Sequence, residues 1–99
     1  MAAINIPAIV LGQSTYAENM LADMQQQPFP NTAREAKAHW QALQCYIRNA
    51  GKLGKLYGTG TQRAKAHAKA TAGLTALAFR CLVHAAKLAI QEGKAKAHA

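Results

Sequence analysis

The chain has 99 residues, of which 12 are Lys or Arg and four are Asp or Glu, so its formal net charge is +8. A chain of this length folds as one domain, which excludes most enzymes that carry a separate substrate domain. No stretch consists of the roughly 18 apolar residues of a membrane span, and residues 1–12 lack the basic start of a secretory signal. We therefore expect a cytoplasmic protein with reduced Cys45 and Cys81 and no membrane partner.

The composition predicts an all-α fold. Alanine accounts for 23 residues, aromatic residues make up only 6%, and β-branched residues are sparse. Alanine is the strongest helix former, whereas sandwiches and barrels depend on β-branched and aromatic side chains. The sequence therefore predicts a small three-helix bundle in a single domain over residues 1–99, with a short N-terminal element.

The N-terminal third contains that short element and the first helix. Residues 5–11 are apolar and predict either a short helix or an extended arm. Thr15 and Glu18 have the spacing of a capping box, in which each side chain bonds a free backbone amide of the other residue. This predicts a helix over 15–26, which ends before Pro28 because a proline disfavours helical geometry in the preceding residue.

The second helix has the clearest pattern in the chain. Thr32 and Glu35 repeat the capping-box spacing, and Gly51 is a typical C-terminal stop, so we predict a helix over 32–50. Its apolar residues recur at helical spacing and predict the buried face: Ala36, Trp40, Leu43, Ile47 and Ala50.

The remaining residues form a glycine-rich connector at 51–60 and a long helix over 61–92. Gly73 is the expected position of a kink, since glycine weakens the interior of a helix. Gly93 is the expected stop, and residues 94–99 are predicted to be a disordered tail.

Few side chains in this alanine-rich chain are large enough to anchor a core. We expect the following to be core or interface anchors: Met20, Met24, Trp40, Tyr46 and Phe79. With so few of them the core is thin, and a homodimer or docking on a partner is one way to bury more apolar surface.

The positive charge is concentrated in one part of the chain. Residues 1–33 sum to −2, and residues 34–99 sum to +10. At about 100° per residue, five basic side chains of the last helix fall within an arc of about 60°, and the opposite side is apolar. We call this row the basic ridge: Lys65, Lys69, Arg80, Lys87 and Lys94. A merely solvated helix face usually mixes charges of both signs, whereas this one is almost purely cationic.

A row of cations on a rigid helix favours contacts with the phosphates of nucleic acid, with little sequence preference. The predicted anion-binding residues are Lys52, Lys55, Lys65, Lys69, Arg80 and Lys87. The second helix offers a secondary basic face: Arg34, Lys37 and Arg48. The first functional hypothesis is therefore a small basic module that binds nucleic acid.

The second hypothesis is a protein-binding inhibitor or adaptor. Its basic ridge would dock on an acidic protein surface, because complementary charge steers association. Small helical chains of this kind resemble the accessory proteins of phages and other mobile elements. That resemblance implies a host defence or regulatory complex as the partner.

Neither catalysis nor a cofactor is predicted. The four carboxylates are scattered, and two of them, Glu18 and Glu35, are accounted for as helix caps. Cys81 and His84 on one helix and Cys45 and His39 on another are four candidate zinc ligands, but the pairs lack the usual Cys-x-x-Cys turn. We therefore expect a protein that is not an enzyme and that holds no metal.

Overall fold

The computed structural model describes residues 14–98, and it consists of three α-helices and one short 3-10 helix. The elements are α1 (Tyr16–Gln26), α2 (Ala33–Leu53), the 3-10 helix (Gly54–Tyr57) and α3 (Gln62–His98). The all-α fold predicted from the composition is confirmed, and no residue from 14 to 98 lies in a strand. The element predicted at 5–11 lies outside the described residues.

Each helix begins after a threonine whose hydroxyl accepts a backbone N–H of the first turn. At α1 the capping box is complete, because Glu18 also accepts the N–H of Thr15, at 2.9 Å. At α2 the Thr32 hydroxyl accepts the amide of Glu35 at 3.1 Å and donates to its carboxylate. Thr61 accepts the amide three residues further along α3, at 3.0 Å. The three predicted helix starts are confirmed.

The two predicted glycine stops are wrong. Gly51 and Gly93 both lie inside helices, which continue beyond them. A glycine ends a helix when it takes a left-handed conformation, and among residues 14–98 only Gly58 and Gly60 have positive φ, at 82° and 74°. The turn between α2 and α3 is therefore made at these two glycines.

The segment predicted to be a disordered tail continues α3 as helix to His98. Alanine and lysine are strong helix formers, which offsets the cost of Gly93. The side chains of 94–97 are all exposed, so no burial holds this last turn in place. Fraying of the end of α3 in solution stays a prediction.

The core is a narrow stripe of mostly small side chains along one side of α3. It contains Ala17, Met24, Leu43, Ala50, Ala70, Leu74, Ala78 and Cys81. Met20, Trp40 and Tyr46 are partly buried against this stripe, as predicted for anchors. Phe79 is 66% exposed, so the core role predicted for it is wrong, and the alternative of an interface anchor stays a prediction.

Helix α3 is the scaffold on which the other two helices pack. Both α1 and α2 contact α3 more extensively than they contact each other. The molecule measures 55 × 27 × 14 Å, and 37 helical residues at about 1.5 Å each account for the longest dimension. A thickness of 14 Å allows no more than two helices in depth, so no other element within residues 14–98 covers the outer side of α3.

By length and composition alone, α3 could also cross a membrane. An 18-residue window within Gln62–Ala97 has a mean hydropathy of 1.4, and 17% of it is buried. One such helix is weak evidence of a membrane span, because core helices of soluble proteins pass the same test. The absence of a membrane partner stays a prediction.

Gly73 allows α1 and α3 to approach closely. A Cβ atom at this position would lie 2.7 Å from Cδ2 of Leu21. A Cβ atom at Gly51 or Gly93 would have no neighbouring atom within 4 Å. Glycine is therefore required at position 73 because a larger residue would collide with α1. A kink at Gly73 stays a prediction.

A polar cluster, which we call the Tyr57 cluster, joins the three helices at the N-terminal end of α3. The Tyr57 hydroxyl accepts the N–H of Tyr16 at 2.9 Å, and its ring lies 4.7 Å from the ring of His67. His67 Nε2 donates to the carbonyl oxygen of Ala50 at 2.9 Å. Asn49 donates to the Tyr16 hydroxyl at 3.1 Å. These bonds tie the start of α1 to the 3-10 helix and to α2, and the end of α2 to α3.

We predict that Gly93→Ala and Gly51→Ala each stabilise the protein by about 0.5–1 kcal/mol, because alanine restricts the unfolded chain and fits the helix. Gly73→Ala gains less than either or destabilises, since Leu21 must move to admit the new methyl group. Denaturant unfolding followed by circular dichroism measures the difference.

The Leu21→Ala background is the control for this prediction. With the Leu21 side chain removed, Gly73→Ala should gain as much as Gly93→Ala. An equal gain from Gly73→Ala and Gly93→Ala in the unaltered background would contradict the close approach.

Candidate nucleic-acid interface

The basic ridge lies along one continuous, solvent-exposed edge of α3. All five of its side chains are exposed, and the helix runs unbroken beneath them. From Lys65 to Lys94 the rise along the helix is about 44 Å. The fold therefore arranges the ridge residues in a row, as helical spacing predicts.

The other predicted basic residues are exposed, but they belong to different surfaces. Lys52 and Lys55 are carried by the end of α2 and the 3-10 helix, which pack beside His67. On the helical wheel of α3, His67 lies about 160° from Lys69, so these elements are on the side opposite the ridge. The secondary basic face of Arg34, Lys37 and Arg48 is exposed on α2. The structure does not merge these two groups with the ridge.

Three of the four carboxylates are used at helix N-termini. Glu18 and Glu35 bond within their own first turns. Glu92 leaves α3 on the side away from the ridge and accepts the N–H of Ala33 at 2.9 Å, which joins α3 to the start of α2. Asp23 is exposed on α1. The ridge itself therefore contains no acidic residue.

The N-terminal half of the ridge borders a groove of mixed charge between α1 and α3. The groove has a volume of about 660 Å³, and both Lys69 and Glu18 line it, with Leu21 and Gly73 at its floor. The carboxylate of Glu18 lowers the positive potential near Lys69. This half of the ridge is the weaker candidate for binding an anion.

The C-terminal half of the ridge forms one side of a shallow pocket of about 290 Å³. The pocket is lined by Phe29, Phe79, Arg80, Val83, His84 and Lys87. Two of these side chains are cationic, one is an imidazole, two are phenyl rings, and none is a carboxylate. We call this the Phe29–Phe79 pocket.

The loop between α1 and α2 builds the outer wall of this pocket. His84 Nε2 donates to the carbonyl oxygen of Pro30 at 2.8 Å, which anchors the loop to α3. The ring of Phe29 then lies 4.6 Å from the imidazole of His84. The guanidinium carbon of Arg80 lies 5.4 Å from the centre of the same ring, which holds its charge in place by a cation–π interaction.

Sequence reasoning missed the aromatic part of this site. Phe29 lies in a proline-rich turn, and the pattern gives no sign that it folds back onto α3. The position of Phe79 was predictable, because it lies about 140° around the helix from Leu74, well outside the buried stripe. The bond from His84 Nε2 to the loop is likewise not apparent from the sequence pattern.

The candidate zinc ligands do not come together. No group of three or more His, Cys, Asp or Glu side chains that could hold a metal ion is found within residues 14–98. Both cysteines are free: Cys45 is exposed and Cys81 is buried. Burial raises the pKa of the Cys81 thiol, and the neighbouring charge of Arg80 lowers it by less.

Comparison of the chain with known protein families, curated proteins and solved structures finds no match. The function is therefore argued from the geometry of this surface alone.

We predict that the two thiols react with Ellman's reagent at very different rates. Cys45 should react within seconds to minutes, because it is exposed. Cys81 should react only after unfolding, because it is buried and its raised pKa leaves less thiolate at any given pH. The reaction is followed by absorbance in native buffer and in denaturant.

Cys45→Ser and Cys81→Ser assign the two phases of this reaction. The Cys45→Ser protein should show only the slow phase, and the Cys81→Ser protein only the fast one. Rapid reaction of native Cys45→Ser would show that the core around Cys81 opens easily.

Proposed function

We propose that this protein is a small, non-enzymatic helical module that binds nucleic acid through its phosphates. The observation that carries the proposal is the row of exposed cations on α3, whose C-terminal half borders a pocket with no carboxylate. Cations held in a row on a rigid element displace the counterions of nucleic acid, which gives salt-dependent affinity with little sequence preference.

The assignment of the carboxylates supports this proposal. The chain has only four acidic residues, and hydrogen bonds direct three of them to helix N-termini. The charge of +8 is therefore little compensated on the ridge side of α3. A surface of this kind raises the local concentration of polyanions and accelerates their association.

The main binding residues in this proposal are Arg80 and Lys87, with Lys65 and Lys69 extending the contact along α3. Arg80 is held against Phe29, so its guanidinium loses less freedom when it binds a phosphate. Lys52, Lys55 and the secondary basic face lie on other surfaces and add long-range attraction.

A second candidate function is docking on a protein, as an inhibitor or adaptor of the phage accessory type. It is favoured by the exposed apolar side chains of α3, where Phe79 is 66%, Ile90 59% and Leu82 45% exposed. Exposed apolar residues next to charged ones are typical of protein interfaces. In this case the ridge would guide the chain to an acidic protein surface.

We predict that Lys65→Gln, Lys69→Gln and Lys87→Gln together weaken binding to a 20-nucleotide DNA probe and lower the slope of log K against log salt concentration. Each lost phosphate contact reduces the slope by about 0.7 for a single strand and about 0.9 for a duplex, so the triple variant should lose about 2 to 3. Fluorescence anisotropy over a salt series measures the slope.

The comparison variant removes the same number of charges from α2, with Arg34→Gln, Lys37→Gln and Arg48→Gln. It should lower the slope less than the ridge variant does. An equal effect of the two variants would mean that only the net charge matters, and binding that is independent of salt would contradict the phosphate contact.

An affinity pull-down from host lysate, with and without nuclease, separates the two candidate functions. If the chain binds nucleic acid, the recovered partners should be lost on nuclease treatment. A stoichiometric protein partner that survives nuclease and depends on Phe79 and Ile90 would support the adaptor instead.

A further inference from the structure

We infer that the Phe29–Phe79 pocket is a binding site for an unpaired nucleobase, so that the preferred ligand is single-stranded nucleic acid. This inference rests on the proposed function and names its ligand class. It is carried by the juxtaposition of two exposed phenyl rings with Arg80 and Lys87 around one shallow cavity.

The phenyl rings have the exposure that stacking requires. Phe79 is 66% exposed and Phe29 is 46% exposed, although both are large apolar side chains. An unpaired base has two flat π faces that aromatic side chains can contact whatever the sequence. The cavity of about 290 Å³ is close to the lower end of small-molecule pockets, which suits one base and not a larger ligand.

The cations lie where the phosphates of a stacked nucleotide would be. Phe79, Val83 and Lys87 follow one another at intervals of four residues, so they share one face of α3. Arg80 lies at the pocket wall with its guanidinium against Phe29. When a base stacks on the rings, the phosphates of its nucleotide lie beside Arg80 and Lys87. Surfaces that bind single strands combine stacking and charge in this way.

A duplex cannot use this site in the same way. Its bases are paired and stacked on each other, and extracting one costs a few kcal/mol. A surface that contacts only phosphates should bind a duplex at least as well as a single strand, because the duplex has the higher charge density. A preference for single strands therefore requires contact with the bases.

The experiment measures fluorescence anisotropy with four probes of 20 nucleotides at one low salt concentration. The probes are oligo(dT), oligo(rU), a DNA duplex, and a strand of the same length that is abasic at every position. We expect both base-bearing single strands to bind at least about fivefold more tightly than the abasic strand, the minimum for one stacked base. The duplex should bind more weakly than oligo(dT).

Variants of Phe79 test whether the pocket supplies this preference. Phe79→Ala and Phe79→Leu should reduce the preference for oligo(dT) over the abasic strand, because only the Phe29 ring then remains for stacking. Phe79→Trp should keep the preference. Ile90→Ala is the matched control, since Ile90 is similarly exposed on α3 at 59% but does not line the pocket.

The outcomes separate this inference from the proposed function. Equal binding of all four probes, unchanged by Phe79→Ala, would overturn the base site and leave the phosphate contact standing. No binding of any probe at low salt would overturn both. A preference for oligo(dT) that Phe79→Leu leaves undiminished would also overturn the base site, since the Phe79 ring would then contribute nothing beyond apolar contact.

Discussion

The structure depends on the packing of two short helices against a single stripe of small residues on α3. Alanine and glycine allow the helices to approach closely, as the contact between Gly73 and Leu21 shows. Small side chains also bury little apolar area each, so the core stabilises the fold only weakly. Because α1 and α2 share this one stripe, they leave the rest of the circumference of α3 uncovered within residues 14–98. The basic ridge and Phe79 are exposed for this reason.

Polar contacts at both ends of α3 compensate for the thin core. The Tyr57 cluster fixes the N-terminal end, and the bonds from His84 to Pro30 and from Ala33 to Glu92 fix the C-terminal half. A hydrogen bond contributes about 0.5–1.5 kcal/mol, which is a large share of the stability of a chain of this size. The bond between His84 and Pro30 also determines where Phe29 lies. A contact that stabilises the fold thus builds the pocket beside Arg80.

The sequence predicted those features that depend on local rules. The capping-box spacing after Thr15 and Thr32 predicts where their helices begin. Helical periodicity predicts the buried face of Ala36, Leu43 and Ala50. The helix ends were not predictable at Gly51 and Gly93, because whether a glycine adopts positive φ depends on where the chain must turn. The ridge follows from the helical wheel, but Phe29 reaches it only through a tertiary bond between residues 54 positions apart. Local patterns carry no information about such a contact.

Charged and aromatic side chains alternate on α3, and this pattern can be compared with what a lipid bilayer, a protein and a nucleic-acid strand would each present. In a membrane span, Arg80 and Lys87 would each cost about 2.5–3.5 kcal/mol near the centre of the bilayer. In a protein interface, Lys is depleted from the core, whereas here Lys87 lies about one helical turn from Val83. A single strand of nucleic acid presents bases and phosphates in alternation, and a surface of phenyl rings between cations complements both. The proposed binding of a nucleic-acid strand rests on this intermixing of phenyl rings and cations.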